Sequence, residues 1–284
     1  MTAMIQRNIR LFFRDKASVF FSLLGVLIIL GLYVLFLSDV TQSSMPGLPG
    51  ARFFMDSWIM SGMLAVTGMT STMGALGVMV EDRSKKILKD FSASPLSRRS
   101  LVGGYVISAY VVGVFMTVVA LLFSEGYIVA GGGTLLPLGD LLLVLACILL
   151  SVMASSAMVF FLVSLFKSMN AFATASTVVG TLAGFLTGIY IPIGNLPPAV
   201  QTLIKIFPVS HAGVLLRRIM MRAPMAASFA DMPVQEAAAI ETMLGVRFLV
   251  GGTPMSTGAH IAVLMGTTVV FYGLAVWNLS RKQK

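Results

Sequence analysis

Six stretches of this chain, residues 19–37, 58–80, 101–127, 141–166, 171–191 and 261–279, are each about as long as a helix must be to cross a bilayer. Apart from Glu125, near the end of the third, none contains Asp, Glu, Lys or Arg. A backbone surrounded by lipid must satisfy its own hydrogen bonds, and apolar runs of this length do so as helices. The fold class expected is an all-α polytopic membrane protein, one domain over residues 1–284, with six transmembrane helices. Composition agrees: charged residues make up 11% of the chain, against about 25% in a soluble domain, and mean hydropathy is +0.93.

The connections carry the rest of the organisation. Residues 2–17 are amphipathic, with Ile5, Ile9 and Phe12 on one helical face and Arg7, Arg10 and Arg14 on the other. That pattern suits a helix in the membrane interface with its arginines toward headgroups. It is not a signal peptide, because the apolar run that follows is too long and no small-residue cleavage site ends it. Residues 38–57 hold Pro46, Gly47, Pro49 and Gly50 and read as a loop. The fifth span is rich in small residues, and Gly180, Gly184 and Gly188, spaced by four, suit close helix packing.

Residues 192–258 are the long exception. The apolar run 199–207 is too short to span and ends at Pro208, so it reads as re-entrant or interfacial. His211 follows, and Val214, Leu215 and Ile219 then interleave with Arg217, Arg218 and Arg222. Residues 231–244 read as a short exposed helix. If the amino terminus is cytoplasmic, fourteen of the twenty basic residues fall inside and seven of the eleven acidic ones outside. Both termini are then expected in the cytoplasm of a bacterial plasma membrane.

Between the second and third spans lies a charged island, residues 81–99, with six of the twenty Lys and Arg residues. Within it Ile87, Leu88 and Phe91 recur at helical spacing, which predicts a short helix with one apolar and one cationic face. Ser94-Pro95 stops that helix. Two readings stay open on spacing alone: a helix pressed against a soluble partner, and a basic loop that only sets orientation.

The chemistry missing from the sequence is informative. There is no phosphate-binding loop, and no Gly-Lys pair at all, so the chain has no such means of hydrolysing ATP. No nucleophile–base arrangement or zinc-binding helix motif occurs, and His211, His260 and the lone Cys147 form no metal-ligand pattern. The formal charge of +9 collects at span ends rather than among aromatics, which argues against nucleic acid. Glu125 leaves two readings, a residue facing a pathway or one among headgroups; His260 is expected at the interface. The spans show no energy source, so a driven protein would take its force through the island.

At this point the chain resembles ABC-2 type permeases, the membrane subunits of type V ABC exporters. The resemblance rests on Glu81 followed by Ser94-Pro95-Leu96-Ser97-Arg98, on Arg14-Asp15-Lys16 in the first helix, and on Phe207-Pro208-Val209-Ser210-His211 ahead of Leu216-Arg217. Two positions depart: Lys86 stands where many members have Gly, and Lys89 where an acidic residue is common. The resemblance implies two permease subunits, as homo- or heterodimer, and two ATP-binding subunits that hold MgATP; this chain would carry no cofactor and no enzymatic activity. It makes residues 81–96 a coupling helix, with Leu88 and Phe91 as apolar docking points. Glu81, Arg83 and Lys86 would be its polar contacts, with Ile87, Pro95 and Leu96 completing it. It also implies that the first, second and fifth spans line the path and the dimer contact. Gly180, Gly184, Gly188, Glu125, Pro208 and His211 are then candidates for the path or its outer gate.

The uncharged spans and the twenty Met and nineteen Phe favour a hydrophobic or amphiphilic cargo: a drug, a lipid-like metabolite or a peptide. A secondary transporter or channel would predict inverted repeats with broken helices and a mid-span charge. A non-transporting scaffold is the third reading.

Overall fold

The computed structural model describes residues 1–32, 48–88, 91 and 97–281. Its helices are α1 (Thr2–Arg14), α2 (Lys16–Leu32), α3 (Ala51–Ser84), α4 (Arg98–Ala130), α5 (Leu138–Leu165), α6 (Met169–Leu186), α7 (Pro198–Ile206), α8 (Pro208–Met220), α9 (Arg222–Ser228), α10 (Val234–Met243) and α11 (Thr257–Arg281). A short antiparallel pair, β1 (Leu249–Val250) and β2 (Thr253–Pro254), precedes α11. The chain is thus an all-α polytopic membrane protein. Helices α3, α4, α5, α6 and α11 are long and apolar enough to cross a bilayer. Helices α7 and α8 form a pair bent by 87°, in the segment expected to be re-entrant. Helix α2 follows the first expected span as far as Leu32; residues 33–37 of that span lie outside the described residues.

Helix limits depart from the apolar runs at two places. Helix α3 starts well before Trp58, directly after Gly50 in the left-handed region, and continues to Ser84. Its 34 residues extend about 50 Å, longer than a hydrocarbon core of about 30 Å. A helix needs only compatible backbone to continue, not apolar side chains, so Glu81–Ser84 become its last turn rather than the start of a separate helix. The fifth span, by contrast, stops at Leu186, short of Ile191. Gly188 takes φ +71° there, and the N–H groups of Gly188 and Ile189 bond back to Phe185 O and Gly184 O, a left-handed helix terminus.

Helix α3 is the axis of the molecule. It is buried along nearly its whole length and packs against α1, α2, α4, α5, α6 and α8. Met55, Met60, Met63, Met69, Met73 and Met79 on this helix are all buried, so many of the methionines fill the irregular core around it. Helices α3, α4 and α5 approach closely at Gly113: a Cβ there would lie 2.6 Å from Thr72 Oγ1 and 2.7 Å from Val152 Cγ1.

The connections sort to opposite ends of the bundle. At the end carrying α1, Arg83 Nη1 donates to Phe166 O at 2.5 Å, and Asn278 Nδ2 donates to Ser164 Oγ at 2.7 Å. At the other end, Arg222 pairs with Asp140 and Ser228 Oγ donates to Pro49 O.

Candidate functional site

The charged island and the first helix meet around a buried carboxylate. Asp82, in the last turn of α3, is 3% exposed. It accepts two hydrogen bonds from the Arg7 guanidinium, at 2.6 and 2.8 Å, and one from Tyr105 Oη of α4 at 2.5 Å. Paired N–H donors meeting two carboxylate oxygens make this a strong, directional contact. The Arg7 guanidinium also lies 5.2 Å from the centroid of the Phe91 ring. One side chain of α1 thereby ties together the second span, the third span and the island.

This corrects the expected face of α1. Met4, Asn8 and Phe12 are its buried residues, and Arg7 turns inward to Asp82 rather than toward headgroups. Arg10 and Arg14 are exposed, as expected. The amphipathic pattern alone could not distinguish an arginine facing headgroups from one facing a carboxylate 75 residues away.

Beyond Ser84 the backbone turns. Lys85 pairs with Glu81 at 2.5 Å across one helical turn, and Lys86 takes φ +63°, the one non-glycine residue with positive φ among the described residues. Lys86 thus occupies, in left-handed conformation, the place where resembling permeases carry glycine. Lys86→Gly is expected to leave thermal stability unchanged or raise it by up to about 1 kcal/mol, and Lys86→Val to lower it by about 1–2 kcal/mol. Thermal unfolding of the purified variants in detergent checks both.

Ile87, Leu88 and Phe91 are helical and half-buried. Leu88 and Phe91 pack on the chain's own hydrophobic core, and Lys85 and Lys86 are both exposed. Arg83 is spent on the α5–α6 connection. Pro95 and Leu96 lie outside the described residues.

Alongside this charged end opens a cleft of about 1090 Å³, bounded by α1, α2, α3 and α6. Arg7, Asp15, Glu81, Asp82 and Lys85 line its rim, and Ile87 reaches into it. Its middle is uncharged: Met63, Thr67, Thr70 and Met73 of α3 face Ser176, Thr177 and Thr181 of α6, with Tyr190 at the far end. Helix α6 is largely exposed among the described residues.

The three glycines of the fifth span part company here. Gly180 lines the cleft, and a Cβ there meets only Thr70 Cγ2 at 3.9 Å. Gly184 is covered by the Tyr190 ring, which a Cβ would approach to 2.3 Å. Gly188 ends the helix with φ +71°. Their spacing has three separate causes.

The remaining candidates sit at the opposite end. Pro208 is the first residue of α8, at the 87° bend. His211 Nε2 bonds to Lys205 O at 2.9 Å across that bend, and its Nδ1 lies 2.7 Å from His260 Nδ1 of α11. A carbonyl only accepts, so Nε2 of His211 carries hydrogen and its Nδ1 accepts from His260 Nδ1–H. His260 is fully buried, and it pins the bent pair to the last span. Neither Asp82 nor His260 could be recognised as a junction from spacing, since their partners are distant in sequence. Arg217 is wholly buried in the same region, donating to Thr187 O at 2.9 Å and lying 5.2 Å from the Trp58 ring centroid.

Glu125 is 8% exposed and lies off the cleft. Its Oε2 accepts from the Leu136 N–H at 3.0 Å, clasping the α4–α5 connection. Glu125→Gln keeps an acceptor and is expected to leave transport unchanged. Glu125→Leu strands the Leu136 N–H and is expected to lower stability by about 1–3 kcal/mol, measured by thermal unfolding.

Membrane-length helices packed around one buried helix, a large cleft beside it and a charged segment at the mouth suit a polytopic membrane transport subunit. The chain matches the ABC-2 family transporter protein family over residues 49–277 and belongs to that family. The match runs from just before α3 through most of α11. No curated protein matches the chain. It is therefore the membrane-embedded permease subunit of an ABC transporter, a kind of subunit that works with an ABC ATP-binding subunit.

Proposed function

We propose that this permease exports a hydrophobic or amphiphilic molecule out of the cytoplasm, powered by two copies of a separate ATP-binding subunit and completed by a second permease subunit. The single observation behind this reading is the placement of the cleft. Its rim includes Glu81, Asp82, Lys85 and Ile87 of the charged segment through which a soluble ATPase would push. MgATP would reside in that ATPase, since this chain has no phosphate-binding loop. The basic residues at the α1 end favour its placement in the cytoplasm, with both termini there, in a bacterial plasma membrane. The second permease would face the exposed side of α6 and close the cleft into a path. The uncharged middle of the wall supports a cargo of the drug type.

Motion of the ATPase would enter at Lys85, Lys86 and Ile87 and pass to α3 directly, because these residues follow its last turn, Glu81–Ser84. Arg7 and Tyr105 would carry it to α1 and α4 through Asp82. The test is purification of the native chain in mild detergent, with mass spectrometry of accompanying chains and an ATP hydrolysis assay. A stoichiometric nucleotide-binding subunit with activity supports the reading. Recovery of the chain alone, without hydrolysis across several mild detergents, would overturn it in favour of a passive carrier or scaffold.

A further inference from the structure

The hydroxyl groups in the middle of the cleft share a constraint. Thr67 Oγ1 donates to Met63 O at 2.8 Å, Thr70 Oγ1 to Val66 O at 3.2 Å, and Ser176 Oγ to Phe172 O at 2.8 Å. Thr177 Oγ1 donates to Ala173 O at 3.2 Å and Thr181 Oγ1 to Thr177 O at 2.9 Å. A hydroxyl has one hydrogen and two acceptor lone pairs. In each of these the hydrogen is committed to the helix that bears it, which leaves lone pairs toward the cleft. Met63 and Met73 add thioether sulfurs, which only accept. Among the described residues lining the cleft between the rim and Tyr190 there is no Lys, Arg, His, Asn, Gln or Trp; beyond the five hydroxyls above, hydroxyl groups line it at Ser22 of α2 and at Tyr190. At the rim, Arg7 is bonded to Asp82 and Lys85 to Glu81, and three of the five charged residues are acidic.

We propose that this wall selects amphiphiles that donate hydrogen bonds through amine, amide or hydroxyl hydrogens, uncharged or cationic, and rejects carboxylate- or phosphate-bearing ones. The proposal rests on the transport reading above and narrows its substrate class. A molecule leaving water for the cleft loses hydrogen bonds to solvent. Its donors recover partners in the hydroxyl oxygens; an anion, which only accepts, meets lone pairs along the α3 and α6 wall and recovers no bond from these five hydroxyls. Specificity of this kind comes from groups left unpaired rather than from shape.

The test uses the full chain in lipid nanodiscs and two dyes of the same charge and ring system. Rhodamine 123 carries N–H donors; tetramethylrhodamine methyl ester has every one of them methylated. Affinities are read by fluorescence anisotropy for the wild type and for a variant with Thr70→Val, Thr177→Val and Thr181→Val together. Valine keeps the shape and removes the acceptors. A Gly180→Trp variant, whose indole would fill open space in the cleft, reports whether binding is there. Taking the affinity ratio within each protein cancels the dyes' different partition into lipid.

The expected result is a wild-type ratio favouring rhodamine 123 about tenfold more than the triple valine variant's, the equivalent of about two hydrogen bonds, with both dyes displaced by Gly180→Trp. Equal ratios in the two proteins, with Gly180→Trp still abolishing binding, would overturn the acceptor-wall inference and leave the transport cleft standing. Binding of neither dye, or binding indifferent to Gly180→Trp, would overturn both.

Discussion

Leu88→Asp and Phe91→Asp are each expected to reduce ATP-driven efflux to background while the protein remains inserted at normal level. Leu88 and Phe91 are half-buried and pack on the permease core. Two such apolar side chains hold the segment with about 1–2 kcal/mol each. A carboxylate in either seat loses that contribution and adds a desolvation cost that the site cannot offset. Phe91→Asp does further damage, since it sets a second carboxylate beside Arg7, in competition with Asp82. The lifted segment would no longer pass force from an ATPase into α3. Efflux at matched expression, with membrane insertion checked separately, is the measurement; normal efflux by either variant would show that this segment does not transmit force.

The second large effect is expected at the Arg7–Asp82–Tyr105 junction. Arg7→Ala removes the cation from a carboxylate that is 3% exposed and leaves it one hydrogen bond from Tyr105. Breaking a buried pair by deleting one partner costs about 3–5 kcal/mol. The Arg7 side chain is 29% exposed, so water shares the load and about 2 kcal/mol is the expected loss. Pairing Arg7→Ala with Asp82→Asn should recover part of it, because the double variant strands no charge. A double-mutant cycle by thermal unfolding reads this directly. Additive losses would show that the two residues do not cooperate, and would remove α1 from the coupling route. Transport should fall further than stability does, since the junction joins three elements at the place where force would enter.

Much of this protein is legible from the chain alone, for a definite physical reason. Lipid imposes its demand locally: every residue of a span must be tolerable in hydrocarbon and every backbone group satisfied within the helix. Hydropathy therefore located α3, α4, α5, α6 and α11 with no knowledge of their neighbours. Pro208 announced the bend between α7 and α8 because the ring restricts its own φ and the residue before it. The charged island was visible by contrast with what surrounds it.

What the side chains of those elements do was not legible, because it depends on partners remote in sequence. Arg7 has the spacing of a headgroup-facing arginine, yet Asp82 claims it. Leu88 and Phe91 mark an apolar face, but period alone does not say whether that face meets another protein or the permease's own core. Gly180, Gly184 and Gly188 repeat every four residues, yet an open cleft, a tyrosine ring and a left-handed turn account for them separately. Thr67, Thr70, Ser176, Thr177 and Thr181 are ordinary helix threonines and serines until α3 and α6 bring them to one space. The sequence by itself determined which stretches are apolar enough to form membrane-length helices and which stretch stands apart in charge, since both follow from transfer of residues one at a time between water and lipid. Only the tertiary structure decided which charges are paired, which face the island keeps for itself and what the cleft wall presents, since each is a property of groups meeting across the bundle.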